Sequence, residues 1–503
     1  MDLLGWLAGD EYTIAREILQ RGVAALYLVA FVSAWNQFPA LLGEHGLLPA
    51  PRFLRTAYGR SQPTLFRLRP RRLRLRLRDT RTEEPDRPLY SDRLLRIVAA
   101  TGAALSALVV AGVLQRTPSW IFVPIFLLIW FLYLSIVNIG QTFYGFGWES
   151  LLCEAGFTVA FLGASDTAPP ITIIVLLRWL VFRLEFGAGM IKMRGDRVWR
   201  DLTALYYHHE TQPMPNPLSR TAHLLPKWFH RLEVLGNHFA QLIVPWLLFL
   251  PQPVASAAAA VVVLTQLWLV ATGNFAWLNV ITIVLASSAV SDPVWSWALS
   301  WADGAARLGG IGAADVPLGY AVVALLVTVG LLILSWPPLR NLFRRRQLMN
   351  ASFNRWHLVN AYGAFGSVTR DRYEVTVEGT EDDPEDPHAE WVEYTFKGKP
   401  GDVRRLPRQF APYHLRLDWL MWFLALGSRD SPWFEMFLLR LLEADPPTLR
   451  LLRDDPFDGR PPRAVRARMH LYRFATHAEK RTTGDRWVRT EVGTLVPPVS
   501  LRG

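Results

Sequence analysis

Hydrophobic residues in this chain form long uninterrupted runs up to about residue 336, and short alternating or helix-spaced patterns beyond it. The windows 97–114, 120–137, 254–271, 274–291 and 317–335 contain no Asp, Glu, Lys or Arg. Each is long enough to cross about 30 Å of hydrocarbon as a helix. With four weaker runs the pattern predicts nine membrane segments, at about 22–42, 96–115, 119–138, 149–165, 170–186, 238–250, 254–271, 274–291 and 317–336. Three of the weaker runs carry features that suit protein better than lipid: Glu149 and Glu154 in one, Arg178, Arg183 and Glu185 in the next, and Pro245 in the short 238–250. Such segments are lined by protein or fail to span fully.

Past Pro337 and Pro338 the pattern changes. Residues 372–377, 391–396 and 464–474 alternate like strands, and 415–426 and 433–442 read as amphipathic helices. The fold class expected is therefore a polytopic α-helical membrane protein, residues 1–336, followed by a C-terminal soluble α+β domain, mainly antiparallel β, over residues 337–503. Within the first part lie an Arg-rich loop, 51–96, and a Pro-containing segment, 187–237, that reads as ordered and interfacial rather than as a connector. The acidic run EGTEDDPEDPHAE reads as a solvated hairpin loop between the first two strands.

Composition narrows the class. Of 503 residues 51% are hydrophobic and 19% charged, and the mean hydropathy is +0.16. That excludes a disordered chain and a purely soluble enzyme. The single cysteine, Cys153, excludes an internal disulfide. The net charge is +11, and 14 arginines against 5 acids fall between Pro51 and Arg96. Placed beside membrane segments, that excess points to anionic lipid headgroups and not to nucleic acid. The N-terminus has acids before its apolar run and no cleavage-site pattern, so the first helix is expected to remain in the mature protein.

Candidate chemistry concentrates between Arg178 and Leu202. Arg178, Glu185 and Lys192 recur every seven residues, which places them on one helical stripe, and Arg183, Arg194 and Asp196 complete a polar cluster at membrane depth. A charge there costs several kcal/mol unless it is paired, so the spacing predicts an ion-pair ladder with Glu185 close to a basic neighbour. A desolvated Lys192 acting as a base is the sharper alternative, and the residues leave both open. His208, His209 and Glu210 lack HExxH spacing, adjacent histidines point to different helix faces, and His223, His230 and His238 read as structural, so no metal site is expected. No cofactor-binding pattern is present either. In the C-terminal part Trp419, Trp422 and Phe423 share a helix face with spacings of three and four; with Asp418 they are candidates for a domain core or a client-facing patch.

Several strings together resemble the lipase maturation factor family: GQTFYGFGWESLLCEAGF (Gly140 to Phe157), RLEFGAGMIKMRGDRVWRDLTALYYHHETQPMPNPLS (Arg183 to Ser219), NAYGAFGSVTRDRYEVTVEGT (Asn360 to Thr380), and EYTFKGKPGD followed by RLDWLMWF (Glu393 to Phe423). The resemblance implies a membrane-bound maturation or folding factor that helps a secreted client such as a lipase, with the C-terminal domain facing the client. Where the family reads PHQPRLDWQMWF, this chain reads PYHLRLDWLMWF from Pro412 to Phe423. The lone cysteine, the Arg-rich loops and the lack of a retention signal fit a bacterial cell membrane better than the endoplasmic reticulum. A more distant similarity links GAGMIKMRGDRVWRD to gamma-carboxylase-like membrane enzymes, and implies a base at Lys192. The positive-inside rule places 51–96, 187–237 and the Arg340–Arg346 cluster on the cytoplasmic side, whereas a client-facing domain belongs outside; a re-entrant 238–250 would reconcile the two.

Overall fold

The computed structural model describes residues 5–67, 90–300, 315–427 and 431–501, so residues 68–89 of the Arg-rich loop, with the alternating RLRPRRLRLRLR run apart from its first residue, Arg67, lie outside the described residues. Helices dominate the first part: α1 (Thr13–Leu42), α2 (Asp92–Val110), α3 (Ser119–Val137), α4 (Gly147–Ala160) and α5 (Ile171–Arg194). After several short helices, including α6 (Leu205–Thr211) and α7 (Lys227–His238), come α8 (Val254–Thr272), α9 (Leu278–Ala286) and α10 (Leu318–Leu334). Small residues let these helices approach closely: the Phe31 ring of α1 fills the place a Cβ would take at Gly102 of α2, and Tyr27 does the same at Gly156 of α4.

All nine apolar runs contain helix, but fewer helices qualify as spans. Asp10–Leu42, α2, α3 and α8 are long and apolar enough on their own. Two bent pairs, Leu278–Ala289 with Asp292–Ser300 at 118° and α10 with Trp336–Leu342 at 41°, raise the total to six at most among the described residues. The difference from nine has local causes. α4 is only 14 residues long, and α5 carries Arg178, Arg183, Glu185 and Lys192 along its length. The run at 238–250 breaks into a π-turn, Phe239–Ile243, and a short helix, Val244–Leu247, where Pro245 offers no N–H to continue the ladder.

Side-chain contacts sort the helix ends onto two faces. On one, Asp292 accepts from the backbone N–H of Thr13 and of Ile14 at 2.9 Å, and Arg16 donates to the carbonyls of Ala164 and Thr167 at 2.6 Å. On the other, Gln37 near the end of α1 donates to the His414 carbonyl at 2.7 Å. Arg355 donates to the carbonyl of Ser61, and Arg440 to that of His45. The C-terminal part thus sits on the face that also carries the described start of the Arg-rich loop.

That part holds a four-stranded antiparallel sheet of β1 (Arg372–Thr380), β2 (Val392–Tyr394), β3 (Ala464–Phe474) and β4 (Trp487–Val499), in the order β2-β1-β3-β4. Helices α11 (Arg416–Ala425) and α12 (Pro432–Leu442) accompany it. Three strands and both helices follow the sequence pattern. β4 does not, because it is an edge strand, largely exposed, that contains Gly493, Pro497 and Pro498; such a strand needs no apolar alternation and tolerates proline. Trp487 anchors it by stacking on Phe474, with ring centroids 4.1 Å apart. The acidic loop after β1 does more than take up water: Glu381 pairs with Arg460 at 2.9 Å and Asp383 with Arg463 at 2.7 Å. Both pairs are exposed and contribute little. The sheet, α11, α12 and the helical bundle share one continuous apolar core, with Trp419, Val377 and Phe437 buried in the same cluster as Phe143, Trp148 and Trp277.

The two-face arrangement makes a direct prediction for cysteines introduced at exposed positions after replacing Cys153 with Ala. Tyr58→Cys and Thr482→Cys should react with an impermeant maleimide from the same side of the membrane, and Glu11→Cys from the opposite side. Labelling of Tyr58→Cys and Thr482→Cys from opposite sides would show the faces to be wrongly grouped.

Candidate functional site: a buried polar seam

Where the sheet region meets the helix ends, charged groups are deeply buried, and they come from the strings that carry the family resemblance. Glu149, in the first turn of α4, is fully buried. Its Oε1 lies 2.7 Å from Arg416 Nη1 at the start of α11, and its Oε2 accepts from the Tyr133 hydroxyl. Arg416 also donates to the Phe143 carbonyl at 2.8 Å, and its guanidinium lies 3.4 Å over the Tyr144 ring. Gln37 fastens the same turn from α1, accepting from the Arg416 backbone N–H at 3.0 Å. Taking two charges out of water costs several kcal/mol each, and only a close partner with further hydrogen bonds offsets it.

His414 sits between. Its Nδ1 is 3.3 Å from both Trp148 Nε1 and Glu149 Oε1, and a neutral ring can serve only one of them at a time. Burial, and then the neighbouring Arg416, push its pKa down to about 4, so the ring is neutral at pH 7. Around it Phe146, Trp148 and Trp419 form an aromatic cage; the Phe146 and Trp148 centroids are 4.7 Å apart, and Trp148 and Trp419 4.8 Å.

A second junction lies one helical turn along α4. Glu154 pairs with Arg183 of α5 and accepts from the Tyr362 hydroxyl at 2.7 Å and from the Asn360 backbone and side-chain N–H at 2.9 Å each. Arg183 donates in turn to the Asn360 carbonyl at 2.6 Å. A third junction joins the sheet to the 187–237 segment. Arg372 and Lys399 flank Glu374, at 2.5 and 2.8 Å, and Arg372 donates to the carbonyls of Glu210, Gln212 and Pro213. Beside the seam opens a cavity of about 730 Å³, lined among others by Trp35, His45, Arg96, Lys397, Tyr413 and Asp418.

The residues singled out in the sequence fall in different places. The ladder of Arg178, Glu185 and Lys192 does not form direct ion pairs among the described residues. Arg178 donates to the carbonyls of Ser288 and Leu248 and lies over the Tyr12 ring. Glu185 accepts from Gln266 at 2.7 Å and Gln241 at 3.2 Å, while Lys192 donates to Asn237 and to Gln241 Oε1 at 2.9 Å and lies over Trp199. Gln241, in the π-turn, therefore relays between the two charges, because an amide offers an acceptor to the ammonium and a donor to the carboxylate. Sevenfold spacing on one helix could not reveal amides supplied by two other segments. Arg194 bonds Gln347 at 2.9 Å, and Asp196 receives both terminal nitrogens of Arg370 at 3.0 and 3.1 Å.

Of the α11 residues, Asp418 and Trp419 are buried, Trp422 is partly buried and donates to the Thr211 carbonyl at 3.3 Å, and Phe423 is 41% exposed. Asp418 accepts from the Gly398 backbone N–H at 2.6 Å, and burial pushes its pKa up to about 6. The main seam partners Arg416, Asn360 and Tyr362 escaped sequence reasoning, since nothing in spacing pairs them with acids more than 200 positions away, and Arg372 and Glu374, two apart on β1, were read only as part of an alternating strand. The signal that was present is the pair of lone acids, Glu149 and Glu154, inside an apolar run.

Fold and seam define a class: a multi-span helical membrane protein whose C-terminal α+β region is joined to one face of the bundle through buried ion pairs. Residues 14–297 match the lipase maturation factor transmembrane domain and residues 358–497 the lipase maturation factor C-terminal domain. The chain belongs to the lipase maturation factor family. It is 38% identical to human lipase maturation factor 1 over 518 residues, covering 97% of this chain and 88% of that protein. The bovine lipase maturation factor 1 is 37% identical, over 99% of this chain and 91% of that protein, and chicken lipase maturation factor 2 is 30% identical, over 98% and 82%. No solved structure matches. The comparisons give no support to the more distant likeness to gamma-carboxylases.

If the seam is a set of mutually dependent buried charges, Glu149→Gln or Arg416→Met alone should each cost about 3–5 kcal/mol, and the double variant clearly less than their sum. Thermal melting of the four proteins in one detergent reads the coupling. Additive losses would mean that the two groups act independently.

Proposed function

We propose that the chain is a membrane-bound maturation factor that assists folding or assembly of a secreted client, with a lipase as the client its relatives' names suggest. The observation that carries this reading is membership of the lipase maturation factor family along nearly the whole chain, through both of its parts. The reading divides the chain into a membrane part, 1–336, and a client-facing part, 337–503. It places the protein in a bacterial cell membrane, for which the support is compositional: one cysteine, buried, and arginine-rich loops. Membrane lipids are partners along the bundle and at α7, where Trp228, Leu232 and Leu235 are exposed.

The geometry narrows the client-facing surface. Asp418 and Trp419 serve the interior, so the part of α11 offered to a client is its exposed end, Phe423 at 41% and Leu426 at 42% exposure. Large apolar side chains at a surface are what an unfolded or unassembled chain can dock against.

Phe423→Ser combined with Leu426→Ser should leave detergent melting within about 0.5 kcal/mol of wild type, as expected of exposed positions. In cells lacking the chain, this variant should restore active secreted lipase poorly while wild type restores it fully, at matched expression. Full rescue by the variant would remove this patch as the client surface. Failure of wild type itself to raise lipase output would overturn the proposed client.

A further inference from the structure

Beneath the interfacial helix α7 lies a group of side chains that neither the seam nor the proposed client surface uses. We propose that His209, His230 and Glu233 form a binding site for a divalent transition cation of the zinc class, pinning α7 to α6. The sequence argued against a metal because its histidines lack a ligand spacing. The fold supplies what spacing could not: His230 and Glu233 stand three residues apart on one face of α7, and His209 comes to them from α6. One ligand atom from each lies within 4.8 Å of the others.

Two observations point to a cation. First, neither ring nitrogen of His209 has a hydrogen-bond partner, although the side chain is only 2% exposed. Its Nε2 lies 3.5 Å from Glu233 Oε1, too long for a good hydrogen bond. Second, both groups beside the His230 ring can only accept: the His223 carbonyl lies 3.2 Å from Nε2 and the Glu233 carboxylate 2.7 Å from Nδ1, whereas a neutral ring has a single N–H to give. A neutral ring therefore leaves one nitrogen lone pair facing an acceptor. A cation bound to His230 Nδ1, Glu233 and His209 relieves it and employs all three.

The surroundings resemble the outer partners that orient metal ligands. With a cation on Nδ1, the His230 Nε2 proton is left for the His223 carbonyl, and Trp268 Nε1 donates to Glu233 Oε1 at 2.7 Å. Ligand atoms around tetrahedral zinc, with bonds of about 2.0–2.2 Å, lie about 3.3–3.6 Å apart; the His230 Nδ1–Glu233 Oε2 pair, at 2.7 Å, has to open slightly to admit the ion, and the wider separations in the set, up to 4.8 Å, have to close. Two imidazoles and a carboxylate favour zinc over calcium or magnesium, and leave a fourth position open. Adjacent His208 is not part of the site: its ring lies parallel to that of Phe275, with centroids 6.2 Å apart.

The test is metal analysis of the full chain purified in detergent, followed by cobalt substitution. Wild type should carry about one equivalent of zinc after desalting, take up Co2+ with the intense visible bands of a four-coordinate ion, and melt higher with zinc than after chelation. His209→Gln and Glu233→Gln should abolish the stoichiometric metal, and His208→Gln should keep it. A wild-type chain that binds no zinc on titration and shows no such cobalt bands overturns the proposal without recourse to any variant. Equal zinc in wild type, His209→Gln and Glu233→Gln overturns it too, by locating the ion elsewhere.

Discussion

Glu149 and Arg416 lie 267 residues apart in sequence and meet at 2.7 Å, each without access to solvent. Neither charge is tolerable there alone, because an unpaired ion in a low-dielectric interior costs more than the pair gains. The consequence is architectural. α4 and the C-terminal region cannot separate without stranding a carboxylate on one side and a guanidinium on the other. The Glu154–Arg183–Asn360 junction and the Arg372–Glu374–Lys399 cluster repeat the device at two further points. The seam thereby fixes how α11, with its exposed end, is held relative to the membrane.

The class of the fold was legible because hydrophobic run length and strand alternation are local signals. So were α11, α12 and β3, whose buried faces leave a periodic trace. What remained hidden depended on distant partners. Glu149 and Glu154 announced that something must pair with them, but Arg416 and Asn360 lie beyond any spacing rule. The sevenfold stripe of Arg178, Glu185 and Lys192 is real on the helix, yet its groups are satisfied by the amides of Gln241 and Gln266 and by backbone carbonyls. β4 was missed for the opposite reason: an edge strand facing solvent leaves no apolar imprint. His209, His230 and Glu233 illustrate the same limit for a site, since two short helices had to be placed before the three could be seen together.

The seam also sharpens a tension in the topology. Because the C-terminal region touches the ends of α1 and α3, the residues flanking the Arg-rich loop and the 187–237 segment, these all lie on one face. Re-entry of 238–250 cannot move the C-terminal region away from the basic loops, as it was expected to do. Either the arginines sit on the side opposite to the positive-inside expectation, held there by a folded domain, or the exposed end of α11 serves the cytoplasmic side.

The account rests on the bundle and the sheet forming one cooperative unit, and Cys153 is a built-in reporter: fully buried in α4 between Glu149 and Glu154. Along a denaturant series on the intact chain in detergent, thiol reactivity of Cys153 and hydrogen exchange of the β1 and β3 amides can be followed in the same samples. A welded seam predicts that both become accessible at the same midpoint. Sheet amides that exchange fully while Cys153 is still protected would contradict it, and would mean that the C-terminal region unfolds on its own.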